Sequence, residues 1–282
     1  MTTRKANLTI LIIFGTFILI RTIFPAEEND TFSSTLFNLS IEIVGGIVLY
    51  TILNLLQNIN RLYLYFQTQV LLRDKEIRLS IAYLFRIKLD GKYLLVKSSR
   101  RNYFQPVGGA FKTLPGSEKI FEKLDVKSDR LIETEKGVAK NDLRVFVKGI
   151  KVIEFIEWFN SKEDRETSPW REFCEELIMT NILPWKEFRY IDYKYKGTVQ
   201  TPILNLDSGD KGMFIYEIYD LIINNEQKPI FEALLATGNT ENFIWANDKL
   251  IERLGHSENK KGYIHEIAKH AKWALNMKWS ES

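Results

Sequence analysis

Between Trp170 and Leu177 the sequence reads Trp-Arg-Glu-Phe-Cys-Glu-Glu-Leu, and this stretch limits the fold more than any other. Strong helix formers occupy most of its positions, so Glu172, Glu175 and Glu176 fall at i, i+3 and i+4 and share one face of a helix. Trp170, Phe173, Cys174 and Leu177 take the opposite face, which must be buried on a core. Three gathered carboxylates repel one another unless a cation neutralises them, and hard oxygen donors of this kind suit Mg²⁺ or Mn²⁺. Arg171 stands four residues before Glu175, close enough to pair with it. The expectation is a divalent-metal platform formed by Glu172, Glu175 and Glu176 on a half-buried helix.

The rest of the chain must supply that core. With 282 residues it has room for a small membrane region and one domain of roughly two hundred residues. Net charge is only +3 and the basic residues are scattered, which argues against a nucleic-acid polymer as partner. Cys174 is the single cysteine, so an internal disulfide is excluded and a reducing compartment is suited. Its place on the apolar side of the helix points to packing rather than nucleophilic chemistry.

Two apolar runs precede the domain, Asn7 to Phe24 and Phe37 to Leu56, each about the roughly twenty residues needed to cross a bilayer core. The first lacks a small-x-small cleavage site and is followed at once by the second, so two transmembrane helices over residues 1–57 are expected rather than a signal peptide. The loop between them carries Glu27, Glu28 and Asp30, whereas Arg4, Lys5, Arg61, Arg73, Lys75 and Arg78 flank the outer ends of the pair. The excess of basic residues predicts cytoplasmic N- and C-termini in an inner membrane. Arg21 and Glu42 reach similar depth in an antiparallel pair and either pair with each other or, for Arg21, snorkel to the headgroups. Gly45-Gly46 allows close helix packing and hence a homo-oligomer. Residues 58–78 read as a helical linker or stalk, with Ile59, Leu62, Phe66 and Val70 as its apolar stripe.

The cytoplasmic domain, residues 79–282, opens with β-rich runs at Leu79–Lys88 and Lys92–Lys97 joined by Asp90-Gly91, a strong hairpin signal. The second run leads to Tyr103-Phe104-Gln105-Pro106-Val107-Gly108-Gly109. An insertion at about 112–162 follows, containing a strand-like Asp142–Lys148 and an amphipathic helix at Val152–Phe159, and is expected to cover or reshape a ligand pocket or to be a structural elaboration. Strands are expected at Phe188–Val199, Met213–Ile223 and Phe243–Trp245, and helices at Asp248–Leu254 and Ile264–Met277. His256, His265 and His270 lack the spacing of a zinc site and read as surface or packing residues.

The order Arg171-Glu172-Phe173-Cys174-Glu175-Glu176 resembles the core of the Nudix box, and Pro106-Val107-Gly108-Gly109 resembles the glycine loop that opens it. Glu163 stands eight positions before Arg171, as the family pattern has it, while the insertion splits the box and Ile178 replaces a usual glycine. The resemblance implies an α+β fold, a Nudix-like α/β/α sandwich with a mixed sheet, here preceded by two transmembrane helices. It implies catalytic roles for Glu175, Arg171 and Glu163, ligand contact through Gly108 and Gly109, and Mg²⁺ (or Mn²⁺) held by Glu172, Glu175 and Glu176. Glu217 could add a further ligand or base, and Tyr103 or Phe104 could stack a nucleobase or belong to the core.

Membrane helices followed by a split Nudix-like domain resemble a narrower group, the two-transmembrane NUDIX effectors, or SMODS-associated NUDIX proteins, of bacterial CBASS anti-phage systems. That resemblance implies that a cyclic nucleotide made by a CD-NTase binds the cytoplasmic domain, and that the membrane helices then damage the membrane and abort infection. The competing reading is a membrane-tethered, Mg²⁺-dependent pyrophosphohydrolase of nucleoside diphosphates. Whether the chain is an enzyme is left open by its sequence.

Overall fold

The computed structural model describes residues 31–57, 59–132, 140–258 and 262–281, together with Gly15, Ile18, Leu19 and Thr22. The chain divides into two compact units, residues 1–66 and 67–282. In the first unit, α1 (Thr31–Gln57) and α2 (Ile59–Phe66) follow one another. The first apolar run, 7–24, lies outside the described residues except for the four named above. The second run lies within α1, yet among the described residues no helix is long and apolar enough to cross a membrane. The two expected spans are therefore not borne out by the described residues. Along α1 the side chains of Leu39, Ile41, Val48, Leu49, Tyr50 and Leu53 are exposed.

The second unit begins with a wide π-helical turn, Gln67–Leu71, so helix extends less far than the expected stalk and the first strand starts earlier, at Glu76. In chain order the elements are β1 (Glu76–Arg86), β2 (Lys88–Leu89), β3 (Lys92–Lys97), β4 (Phe104–Gln105), β5 (Gly108–Ala110), α3 (Ser117–Leu124), β6 (Lys127–Ser128), β7 (Arg144–Lys148) and α4 (Gly149–Ser161). They continue with α5 (Trp170–Phe173), a second π turn (Cys174–Ile178), α6 (Trp185–Phe188), β8 (Asp192–Gln200), β9 (Leu204–Asn205), β10 (Lys211–Ile222), α7 (Lys228–Thr237), β11 (Phe243–Asn247), α8 (Asp248–Glu252) and α9 (Lys269–Asn276). The result is a mixed α+β fold.

The larger sheet runs β6-β7-β1-β10-β8, with β5 on β1 and β9 on β10; β1 and β10 are parallel and the other pairs antiparallel. The smaller sheet is β11-β3-β2 with β4 on β3. The expected hairpin is present, with Asp90 and Gly91 both at positive φ, 45° and 74°. The strand predicted from Leu79 to Lys88 is in fact divided near Ile87, β1 belonging to the larger sheet and β2 to the smaller.

Because strand side chains alternate, Ile77, Leu79, Ile81, Tyr83 and Phe85 all point to one face of β1, and each is fully buried. Edge-to-face rings fill that face: Tyr83 with Phe111 at 4.7 Å, Phe111 with Phe159 at 5.3 Å, and Phe85 with Phe173 at 5.6 Å. Each such side chain contributes about 1.5–3 kcal/mol by leaving water. The described part of the insertion is built into the fold. Its β7 pairs with β1 over Glu76–Ser80, and its α4 places Phe155 and Phe159 in the core.

Main-chain bonds fix the start of this unit to α4: the Gly149 N–H donates to the Lys75 carbonyl (2.8 Å) and Ile150 N–H to that of Arg73 (2.9 Å). Gln69 Nε2 donates to the Ile150 carbonyl at 3.2 Å. Two further expectations need correction. Pro184 precedes a short helix where a strand from Phe188 was predicted, and that strand starts at Asp192. The closing helix starts only at Lys269, because Glu266 and Ala268 are drawn into main-chain bonds with Phe104, leaving Ile264 exposed.

Candidate functional site

Phe173 and Leu177 are fully buried, which seats α5 and its π turn on the sheet and turns the acidic side towards the glycine loop. Trp170 and Cys174 are half-buried, and burial pushes the Cys174 thiol up, consistent with packing rather than nucleophilic chemistry. π turns of this kind recur at functional sites.

Arg171 is the hub. Its Nε and Nη2 meet the two oxygens of Glu166 at 3.0 and 3.1 Å, and Nη2 also donates to the Ala110 carbonyl at 2.8 Å. Its Nη1 reaches Glu172 Oε1 at 2.6 Å and Glu175 Oε1 at 3.3 Å. Burial works against the charge, but the Glu166 hydrogen bond and the Glu172 field outweigh it, and the guanidinium stays firmly protonated.

Glu176 turns instead to the glycine loop: the Gly108 N–H donates to its Oε2 at 2.8 Å and Gln105 Nε2 to its Oε1 at 3.3 Å. Gly108 has φ of +150°, and a Cβ there would sit 2.1 Å from the Tyr83 carbonyl oxygen. At Gly109 a Cβ would fall 2.2 Å from the Glu172 carboxyl carbon, so a side chain there would displace that carboxylate. The two glycines predicted to contact a ligand thus contact the acidic helix itself.

Burial pushes the Glu176 carboxyl up to about 8, with the Gly108 N–H opposing and Glu172 adding to it. It also raises Glu172, against the pull of Arg171. Glu176 therefore favours its protonated form in the folded state, whose pKa lies above the reference 4.5, so its contribution is present at low pH and lost as pH rises through about 8. In metal-free buffer Glu176→Gln should leave the melting temperature nearly unchanged at pH 5 and raise it by several degrees at pH 8.5. Equal shifts at both pH values in a thermal melt would show that Glu176 does not titrate in this way.

The predicted Glu163 does not join the cluster. It lies exposed after α4, and among the described residues its carboxylate makes no ion pair. Glu166 takes the expected place beside Arg171, because residues 112–114 and 164–166 run as a short ladder: Leu114 N–H donates to Asp164 O at 2.9 Å and Glu166 N–H to Lys112 O at 2.8 Å. Lys162 and Asp164, both at positive φ, turn the chain on either side of Glu163 and just before Glu166.

Sequence reasoning also missed Arg165, which is 2% exposed. It lies 3.8 Å over the Phe159 ring, bonds the carbonyls of Phe159 and Glu166 at 2.7 Å each, and meets Glu217 Oε1 at 3.5 Å. Glu217, expected to be a metal ligand or a solvent-facing residue, is instead held by Arg165 and by the Tyr219 hydroxyl, which donates to it at 2.5 Å. The adjacent Arg165-Glu166 pair, close ahead of an acidic helix, was the available signal.

The three carboxylates are chemically suited to Mg²⁺, but the arrangement does not fit it. Arg171 spans Glu172 and Glu175 while Glu176 faces Gly108, and among the described residues no group of three acidic, His or Cys side chains converges to hold a metal ion. Of the predicted stacking residues, Phe104 is buried in the small-sheet core and Tyr103 is half-buried.

A mixed sheet whose glycine loop is hydrogen-bonded to an acidic, arginine-bearing helix defines a Nudix-like domain. The chain belongs to the family described as SMODS-associated NUDIX domain, whose model matches residues 76–275. Comparison with curated proteins and with solved structures found no match.

Proposed function

We propose that this protein is a membrane-anchored effector of a CBASS antiviral system. The Nudix-like domain binds a cyclic nucleotide supplied by a CD-NTase, and the amino-terminal helices respond by damaging the inner membrane and aborting infection. The observation that carries the receptor part is the closure of the acidic helix by Arg171, which pairs with Glu172 and Glu175 within the protein. The family's association with SMODS supports a nucleotide partner. The membrane part, with both termini cytoplasmic and the chains self-associated, rests on the two apolar sequence runs and on the apolar side chains that α1 leaves exposed.

The test uses the full-length chain in detergent with Mg²⁺ and a panel of cyclic oligonucleotides and nucleoside diphosphate conjugates. The expected result is that one cyclic nucleotide binds and is recovered intact, and that Glu175→Gln binds it as the parent does, since the Glu175 side chain is more exposed than that of Glu172, 33% against 14%. Cleavage of a diphosphate conjugate with turnover, lost in Glu175→Gln, would replace this reading with the tethered pyrophosphohydrolase.

A further inference from the structure

Between the acidic helix and β8 the chain makes a short turn and the helix α6, and its apolar side chains divide between core and surface. Leu183 and Phe188 are buried and hold the stretch down. Main-chain bonds tie it at both ends: Leu183 N–H donates to the Leu177 carbonyl at 2.8 Å and Arg189 N–H to that of Trp185 at 2.9 Å. Gln227, fully buried just before α7, donates its Nε2 to the carbonyls of Glu187 at 3.0 Å and Tyr190 at 3.1 Å. The backbone is thus fixed on either side of α6.

Held in this way, the stretch leaves large apolar side chains in solvent. Tyr190 is 79% exposed, Met179 71% and Trp185 55%, and among the described residues of this unit no large apolar side chain is more exposed than the first two. Keeping them in water forgoes the stabilisation that burial brings. Tryptophan and tyrosine are the types that gather at membrane–water interfaces, where the ring leaves water and its polar edge stays hydrated.

The charges around these side chains nearly cancel. Lys186, Arg189 and Lys194 are exposed, and Arg189 lies 5.5 Å over the Tyr190 ring. Glu187 and Asp192 in the same stretch and Glu226 ahead of α7 oppose them. Lys196 turns to Asp220 at 3.6 Å, and Lys228 to Glu232 at 3.6 Å. A partner is therefore drawn by apolar burial and short hydrogen bonds rather than by a long-range field.

We propose that this knuckle rests on a lipid surface, with Met179, Trp185 and Tyr190 entering the headgroup layer and Lys186 and Arg189 donating to lipid phosphates. The assignment rests on the membrane anchoring proposed above, which brings such a surface within reach. Ten residues, 57–66, separate the end of the second apolar run at Leu56 from the first residue of this unit, Gln67. Even fully extended they span about 35 Å, so an anchored chain holds this unit next to the bilayer. Exposed tryptophan, tyrosine and methionine flanked by lysine and arginine are what that environment accepts.

The experiment is tryptophan fluorescence of the full-length chain reconstituted in phosphatidylcholine vesicles, part of whose lipid is brominated near the glycerol end of its acyl chains and so quenches indoles at the membrane surface. All six tryptophans lie in residues 158–279, outside the apolar runs, and Trp185 alone among them is exposed. Brominated lipid should quench the parent, and Trp185→Phe should remove most of that quenching. Tyr190→Ser, with Trp185 kept, should weaken it roughly twofold. A chain that floats with the vesicles but shows no lipid quenching, or the same quenching in Trp185→Phe, overturns the docking and leaves the anchor standing. Shielding of Trp185 from acrylamide in that case would give the knuckle to a second copy of this chain. A chain that does not float with the vesicles overturns anchor and docking together.

Discussion

An Arg171→Met chain should melt roughly 10 °C below the parent, a loss on the order of 3 kcal/mol for a domain of about two hundred residues. The guanidinium is 23% exposed and satisfies Glu166 and Glu172, each 14% exposed, so its removal leaves half-buried negative charges facing one another without a partner. Methionine keeps most of the volume, so the loss reads charge rather than a cavity. Added Mg²⁺ should recover part of the melting temperature in this variant and do little for the parent. If Mg²⁺ stabilises the parent just as strongly, the metal platform expected from the sequence is the correct account of the helix. A variant as stable as the parent would mean that Arg171 is not what holds the carboxylates together.

The second large effect is at the glycine loop. Gly108→Ala should cost on the order of 3 kcal/mol in a denaturant titration, combining a φ of +150° with a methyl group 2.1 Å from a backbone oxygen of the central strand. The obstacle is main chain, so no side chain can rotate out of its way. The variant should also lose the Gly108 N–H bond to Glu176, and because that N–H opposes the upward shift of the carboxyl, stability should fall more steeply as pH rises. Ala at position 91, in the exposed hairpin turn where nothing lies within 4 Å, serves as the comparison, with strain from φ of +74° alone. Equal losses at the two positions would show that contact with Tyr83 contributes nothing.

What could be read in the sequence was what is encoded locally. Asp90-Gly91 specifies a turn by its own backbone preferences, and the Trp170–Leu177 pattern specifies a helix with one buried face. The link between Gly108-Gly109 and Glu172-Glu176 was legible only through family resemblance, because more than sixty residues separate the partners. Pairings across such distances left no mark that periodicity could reveal. Thus β7, inside the insertion, proved to be a neighbour of the central strand, and β1 was cut at Ile87 between two sheets. Glu163 was chosen by counting along the chain, whereas Glu166 was selected by the ladder with residues 112–114, which brings its carboxylate to Arg171. The cation that neutralises the helix lay within the quoted motif itself, yet three carboxylates in a row suggested a metal before they suggested their neighbour.

The bonds joining Gln69, Arg73 and Lys75 to the start of α4 have a mechanical consequence. A pull on the chain at Gln67 cannot peel β1 from its sheet directly, because it first loads these three bonds together. The load then passes into α4, whose Phe159 ring supports Arg165, and Arg165 grips the carbonyl of the residue that pairs with Arg171. Stiffness thus runs without a break from the first residues of this unit to the acidic helix. Displacement at either end is felt at the other as strain carried through these side-chain bonds.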